Sequence, residues 1–348
     1  MSSTGKFELL CLENPLLDIQ GTGDEKLLQK YGLKPNDAIL AEKQHMDLYQ
    51  ELMEKHDAKL IAGGAAQNTA RGAQYCLPPD SVIYIGCVGK DEHAKTLEKA
   101  NKEAGLKTCY RYDEEQPTGR CGVVITGHNR SMCTDLAAAN CYKIEHLKEN
   151  WELVEQANTY FVGGYHLTVC VPAALALAEE AAKKNKTFFL SLSAPFIPQF
   201  FKDQVDQCLP YTDYLIGNET EARAYAAAHD MNTEDIPTIA KHLACLPKKN
   251  AKKPRAVIIT QGTDPTVVAV GAEGEEAQLS KYPVHSIEQS KINDTNGAGD
   301  AFAGGFLGGY MQGRELKTCV DMGQWLAQLS IQELGPSYPY PKQNYKAS

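Results

Sequence analysis

Short apolar runs recur along this chain, and most are followed by a longer stretch in which apolar residues return every three or four positions. Runs at 7–12, 82–88, 121–126, 159–162, 188–192, 214–217, 256–260 and 267–270 predict strands. Helical spacing predicts helices over 65–76, 94–104, 172–184, 220–229, 236–246, 298–311 and 316–333. The alternation of strand and helix predicts an α/β fold, a mainly parallel sheet covered by helices on both faces. Ligands of such sheets gather beyond the carboxyl ends of the strands. Asn14, Gly163-Gly164, Asn218 and Gln261-Gly262 each follow an apolar run, so they are expected on one rim.

Two stretches break the alternation. Residues 15–60 and 119–136 are richer in polar residues, and the second reads as a hairpin around 127–129. Together they are expected to form a small, discontinuous lid domain, with 1–14, 61–118 and 137–348 forming the large domain. The one charge run, Lys248-Lys249-Asn250-Ala251-Lys252-Lys253, falls between a helix and a strand and reads as a solvated loop.

Composition narrows the function more than the fold. With 43% hydrophobic and 23% charged residues in 348, a folded globular chain is expected. A formal charge of −9 argues against nucleic acid as a main partner, so a polyanionic ligand must be held by local dipoles, a metal or a few placed cations. The 11 cysteines include no C-x-x-C pair, and several sit in apolar runs, as small buried hydrophobes of a reducing compartment do. The nine histidines show no metal-ligand spacing. The polar start Met1-Ser2-Ser3-Thr4-Gly5-Lys6 has no signal-peptide pattern, and no apolar run approaches the ~20 residues of a membrane span. A cytoplasmic location without membrane association is expected, and a nuclear one is left open.

The strongest chemical signal is Asp294-Thr295-Asn296-Gly297-Ala298-Gly299-Asp300, running directly into Ala301-Phe302-Ala303-Gly304-Gly305-Phe306. Two glycines beside a helix start let backbone N–H groups point into one concavity, reinforced by the positive end of the helix dipole. A carboxylate beside an anion cradle repels phosphate, but it has a use if Asp300 removes a proton from a hydroxyl that attacks that phosphate. Helix capping by Asp294 or Asn296 is the structural alternative.

Three further groups each allow two readings. Gly63-Gly64-Ala65-Ala66-Gln67-Asn68 is either a turn or a close backbone approach to a ligand, with Asn68 offering donor and acceptor. Asn14 and Asp18 either bond their own turn or clamp a vicinal diol. Asn218-Glu219-Thr220-Glu221 either caps a helix or lets Glu221 hold the water shell of Mg²⁺. No G-x-x-x-x-G-K-[ST] and no G-x-G-x-x-G after a strand is present.

Taken in order with Gly86-Cys87-Val88-Gly89-Lys90-Asp91 and Thr260-Gln261-Gly262, these motifs span nearly the whole chain and resemble those of the ribokinase-like carbohydrate and nucleoside kinases. Gln116-Pro117-Thr118-Gly119, Asn129-Arg130-Ser131 and Leu192-Ser193-Ala194-Pro195-Phe196 resemble the eukaryotic members that act on adenosine. The resemblance implies a three-layer αβα sandwich with a small α/β lid, and transfer of the ATP γ-phosphate to the 5′-hydroxyl of adenosine. It implies Asp300 as general base and the backbone of Asn296, Gly297, Ala298 and Gly299 as anion hole. Asn14, Asp18, Gly63, Gly64 and Asn68 would hold the ribose. Arg130 would reach the phosphates on lid closure, or else sit in an ion pair. Leu16, Leu40, Cys121, Leu136, Tyr165 and Phe196 would surround the adenine. Asn218, Thr260 and Gly262 would lie along ATP, and Glu221 would serve Mg²⁺ through water. A monomer is implied. Three positions depart from the pattern: Asp91-Glu92-His93-Ala94, Ala65 where serine is common, and His166 where a second aromatic is usual. The segment Met322-Gly323-Gln324-Trp325 departs as well, near the expected ATP adenine.

Overall fold

The computed structural model describes residues 7–127 and 129–347. Met1–Lys6 and His128, which the sequence reading placed in a polar start and a hairpin tip, lie outside the described residues, as does Ser348. In chain order the strands are β1 (Leu9–Leu12), β2 (Leu17–Thr22), β3 (Ala38–Leu40), β4 (Lys59–Ala62), β5 (Val82–Gly89), β6 (Lys107–Asp113) and β7 (Arg120–Thr126). There follow β8 (Asn129–Asp135), β9 (Thr159–Val162), β10 (Thr187–Ser191), β11 (Tyr214–Asn218), β12 (Arg255–Gln261), β13 (Asp264–Gly271) and β14 (Gln278–Tyr282).

Nine strands form one sheet in the order β14-β13-β12-β11-β10-β9-β1-β5-β6. It is parallel from β12 to β6, and only β13 and β14 add antiparallel edges. The period of two along β1 explains the three layers. Leu10 and Leu12 pack with Ala174 and Leu177 of helix Val171–Lys184 on one face. Leu9 and Cys11 pack with Ala66 and Ala70 of helix Ala65–Cys76 and Phe306 of helix Ala298–Met311 on the other. Those two helices touch backbone to backbone: a Cβ on Gly304 would lie 2.8 Å from the Cα of Gly72. One turn earlier on each helix stand Asp300 and Asn68, so the glycine crossing sets their separation.

The second sheet has five strands in the order β3-β8-β7-β2-β4, drawn from both polar stretches, and a core of its own around Ile19, Leu28, Tyr49, Leu52 and Val124. Four of its strands, β2, β3, β4 and β8, have no counterpart among the apolar runs, and neither do β6 and β14 of the large sheet. β14 mixes exposed with half-buried positions, and the buried β2 interleaves Asp18 and Gln20 with Leu17 and Ile19, so neither leaves a continuous apolar run. No helix among the described residues is long and apolar enough to cross a membrane. All 11 cysteines are free thiols, most of them buried.

Candidate active site

A cavity of about 560 Å³ lies between the carboxyl rim of the large sheet and the five-stranded sheet. The rim contributes Asn14 after β1, Tyr165 after β9, Phe196 after β10, Asn218 at the end of β11 and Thr260 near the end of β12. Asp18 on β2 and Arg130 on β8 enter from the other sheet, so the segment Asn14 to Asp18 is a bridge between two sheets and not a closed turn.

Asp300 sits in the first turn of helix Ala298–Met311, and its Oδ2 accepts a 2.8 Å hydrogen bond from the Asn68 amide. Burial pushes its carboxyl up to about 7, against the pull of that hydrogen bond and of the Arg71 cation. Asp18 is likewise pushed up to about 7, by burial and by the charge of Asp300, with Arg71 and the Asn296 side chain opposing. Such values suit a group that must release and take up a proton near neutrality.

The turn before Asp300 is braced by Asp294, whose side chain is wholly buried. Its Oδ1 accepts from Asn296 N at 2.9 Å and from Arg130 Nε at 3.0 Å, and its Oδ2 from Gln20 Nε2 at 2.7 Å and Gly335 N at 2.9 Å. Gly297 is the helix N-cap at φ +77° with no side chain to cap it, and a Cβ there would strike Pro336. Of the four backbone groups expected in the anion hole, two have acceptors within the chain. Asn296 N is taken by Asp294, and Ala298 N donates to Thr295 O at 3.3 Å. Among the described residues no acceptor faces Gly297 N or Gly299 N, and nothing lies within 4 Å of where a Gly299 Cβ would be. The open donors include those of the two glycines.

At the other end, Leu16, Leu40, Cys121 and Leu136 join Tyr165 and Phe196, whose ring centroids are 5.9 Å apart. Asn14 donates to Tyr165 O at 3.3 Å. Its Oδ1 faces His166 Nδ1 at 3.4 Å. Along the remaining edge Asn218 and Glu221 form a capping box: Asn218 Oδ1 accepts from Thr220 N and Glu221 N, and both Glu221 oxygens accept from Asn218. Glu221 is buried and pushed up to about 7 by burial. Glu221 therefore both caps the helix and lines the cavity. Gly262, at φ +58°, follows Thr260 on the same edge.

The model of the pfkB family of carbohydrate kinases matches residues 25–343. The chain belongs to this family. It is 49% identical over 340 residues to the adenosine kinase of Schizophyllum commune, covering 97% of this chain and 98% of that one. Among solved structures it is similar to Anopheles gambiae adenosine kinase in complex with P1,P4-di(adenosine-5) tetraphosphate. The TM-score is 0.91 at 44% identity, covering 94% of this chain and 96% of that one. Schistosoma mansoni adenosine kinase in complex with adenosine and AMP matches with a TM-score of 0.88 at 34% identity, covering 95% and 97%.

Two of the positions where this pfkB chain departs from the pattern, His166 and Asp91, have local structural roles. His166 turns away from the cavity, edge-on to Tyr142 with centroids 5.2 Å apart, and holds Asn14 from behind. Asp91 caps helix Glu92–Glu103 and ties Thr118 to it. Gly63 does not line the cavity. A Cβ there would overlap the Asp18 carboxylate, so this glycine acts by leaving Asp18 its place. Two residues escaped the sequence reading. Glu13 is 1% exposed, lines the cavity and is pushed up to about 8 by burial; Arg71 is 6% exposed and stands behind Asn68. Each carried a signal, a charge directly continuing an apolar strand and a charge on an alanine- and glycine-rich helix.

Proposed function

We propose that this chain transfers the γ-phosphate of ATP to the 5′-hydroxyl of adenosine, giving AMP and ADP. One observation carries the mechanism: the Asp300 carboxylate stands at the open, uncapped N-terminus of a glycine-turned helix, in one cavity with an aromatic, apolar end. The ring of adenosine would lie between Tyr165 and Phe196, with the ribose diol on Asp18 and Asn68. Its 5′-hydroxyl then points to Asp300, which takes the proton as the oxygen attacks phosphorus. Gly297 N, Gly299 N and the helix dipole receive the charge that gathers on the transferred group. Arg130 would exchange Asp294 for phosphate as 15–60 and 119–136 close as a lid and exclude water. Thr260, Gly262 and Asn218 would border ATP.

Mg²⁺ fits this cavity only in the outer sphere. Both Glu221 oxygens are engaged by Asn218, and no group of three or more metal-binding side chains occurs among the described residues. Glu221 would hold the ion's water, while phosphate oxygens and water fill its inner positions, and the bound ion would neutralise phosphate charge. A sugar as acceptor is the second reading within the family, and the apolar ring-lined end argues against it. A panel of adenosine, inosine, guanosine, ribose and fructose with Mg-ATP tests the assignment. Adenosine should be phosphorylated with the highest kcat/KM, and a preference for a free sugar would overturn it.

A further inference from the structure

We infer that Arg71 is a positioning residue for the base: it fixes the Asn68 amide in the one orientation that donates to Asp300. This rests on Asp300 being the base, as proposed above. Arg71 follows Asn68 by three residues on helix Ala65–Cys76, and its Nη2 donates to Asn68 Oδ1 and, at 2.7 Å, to Ala62 O. Its Nη1 donates to Asn101 Oδ1 at 3.2 Å, and Asn101 in turn donates to Tyr110 OH at 2.8 Å and Gln67 Oε1 at 3.1 Å. Among the described residues no carboxylate lies within 4.0 Å of the guanidinium. A buried cation without an ion pair is costly, so packing alone gives this helix little reason to hold one.

The chemistry of the amide supplies a reason. A primary amide has an acceptor end and a donor end that occupy nearly the same space, and a neighbour must choose between them. With the guanidinium donating to Oδ1, Nδ2 is left to face Asp300 at 2.8 Å. The flipped amide would set oxygen against carboxylate and NH₂ against guanidinium, two repulsive contacts. Arg71 also acts through charge. The titratable groups that face Asp300 are Glu13 after β1, Asp18 on β2, Tyr165 after β9, Glu221 on helix Glu219–Ala228, and Tyr338 near the C-terminus. Arg71 is the positive group acting on it, and it opposes burial in holding the Asp300 proton affinity down. Arg71 does not line the cavity, so its influence passes through Asn68 and through the field.

The test is kcat/KM against pH, with Mg-ATP and adenosine, for the full chain and its R71K, R71Q, R71M and D300N variants, with melting curves for each. R71M should lose at least about tenfold at pH 7, with its acid limb about one pH unit higher, because a base that binds its proton more tightly ionises later. R71Q keeps a donor for Asn68 without the charge, so its limb should move with a smaller loss. R71K keeps the charge, and its limb should stay in place. If R71M does not fold, the R71K and R71Q pair decides. Unmoved limbs in R71Q and R71M, or equal losses in all three with no movement, would reduce Arg71 to a packing residue. Near-normal turnover by D300N would instead remove the base assignment and leave the Arg71–Asn68 geometry standing.

Discussion

The two glycine turns that open the neighbouring helices Ala65–Cys76 and Ala298–Met311 share a local design and differ in what fills them. Each has an N-cap glycine at positive φ, +85° for Gly64 and +77° for Gly297, and neither has a side-chain cap of its own. Over the first turn the chain places its own carboxylate: Glu13 Oε2 accepts from Ala66 N at 2.7 Å, and Gly163 makes room for it, since a Cβ there would overlap Glu13. Over the second it places nothing, and Gly299 faces open space. A helix N-terminus is an anion site in both cases. The first is occupied from within, while the second is open, as the proposed phosphate site requires.

The comparison can be broken in several ways, and the largest effect belongs to the open turn. Asp300→Asn keeps shape and removes the base, so kcat should fall by roughly 10²–10⁴-fold while adenosine still binds, as calorimetry beside steady-state kinetics would read. Gly299→Asp fills the open turn as Glu13 fills the other. Its added carboxylate should cost about 10²-fold in kcat/KM for ATP, with a smaller change in adenosine binding. Gly63→Ala dislodges Asp18 and should raise the KM for adenosine about tenfold, with the KM for ATP little changed.

pH sharpens the same contrast. Asp300 must be ionised to act and is pushed up to about 7 by burial, so kcat/KM should rise with pH through about 7 and level off above it. A limb near 4, the ordinary carboxylate range, would contradict the buried setting of the base. The smallest effect concerns the filled turn. Burial pushes Glu13 up from 4.5 to about 8, so the folded chain binds that proton more tightly than the unfolded chain, and its stabilising effect is lost progressively as pH rises from 4.5 to about 8. Glu13→Gln does not titrate. It should melt a few degrees above the parent at pH 9 and close to it only at or below about pH 4.5, where Glu13 is protonated in both states.

Much of the site was legible because its parts are local. A glycine turn entering a helix with an acid directly after the second open glycine is written in consecutive residues, and the strand ends announce themselves where apolar runs stop. Helix Ala65–Cys76 and helix Ala298–Met311 fall where the periodicity puts them. The five-stranded sheet did not announce itself, because β3 is three residues of intermediate burial and β4 is half exposed. Asn14 and Asp18 lie four residues apart in the chain, and nothing in that spacing reveals that they belong to different sheets.

By itself the sequence determined the groups available: a carboxylate after a glycine turn, polar side chains at strand ends and a set of apolar residues, each set by side-chain type and short-range backbone preference. Only the tertiary structure decided which of them are free to act. It closed Gly72 on Gly304 so that Asn68 meets Asp300, gave one glycine turn to Glu13, and turned Asn296 N back to Asp294. It also set Arg71 behind the Asn68 amide. The physical reason is that a hydrogen-bonding group or a charge acquires its role from the partners and the dielectric around it, and in this chain those come from residues as far as 274 positions away.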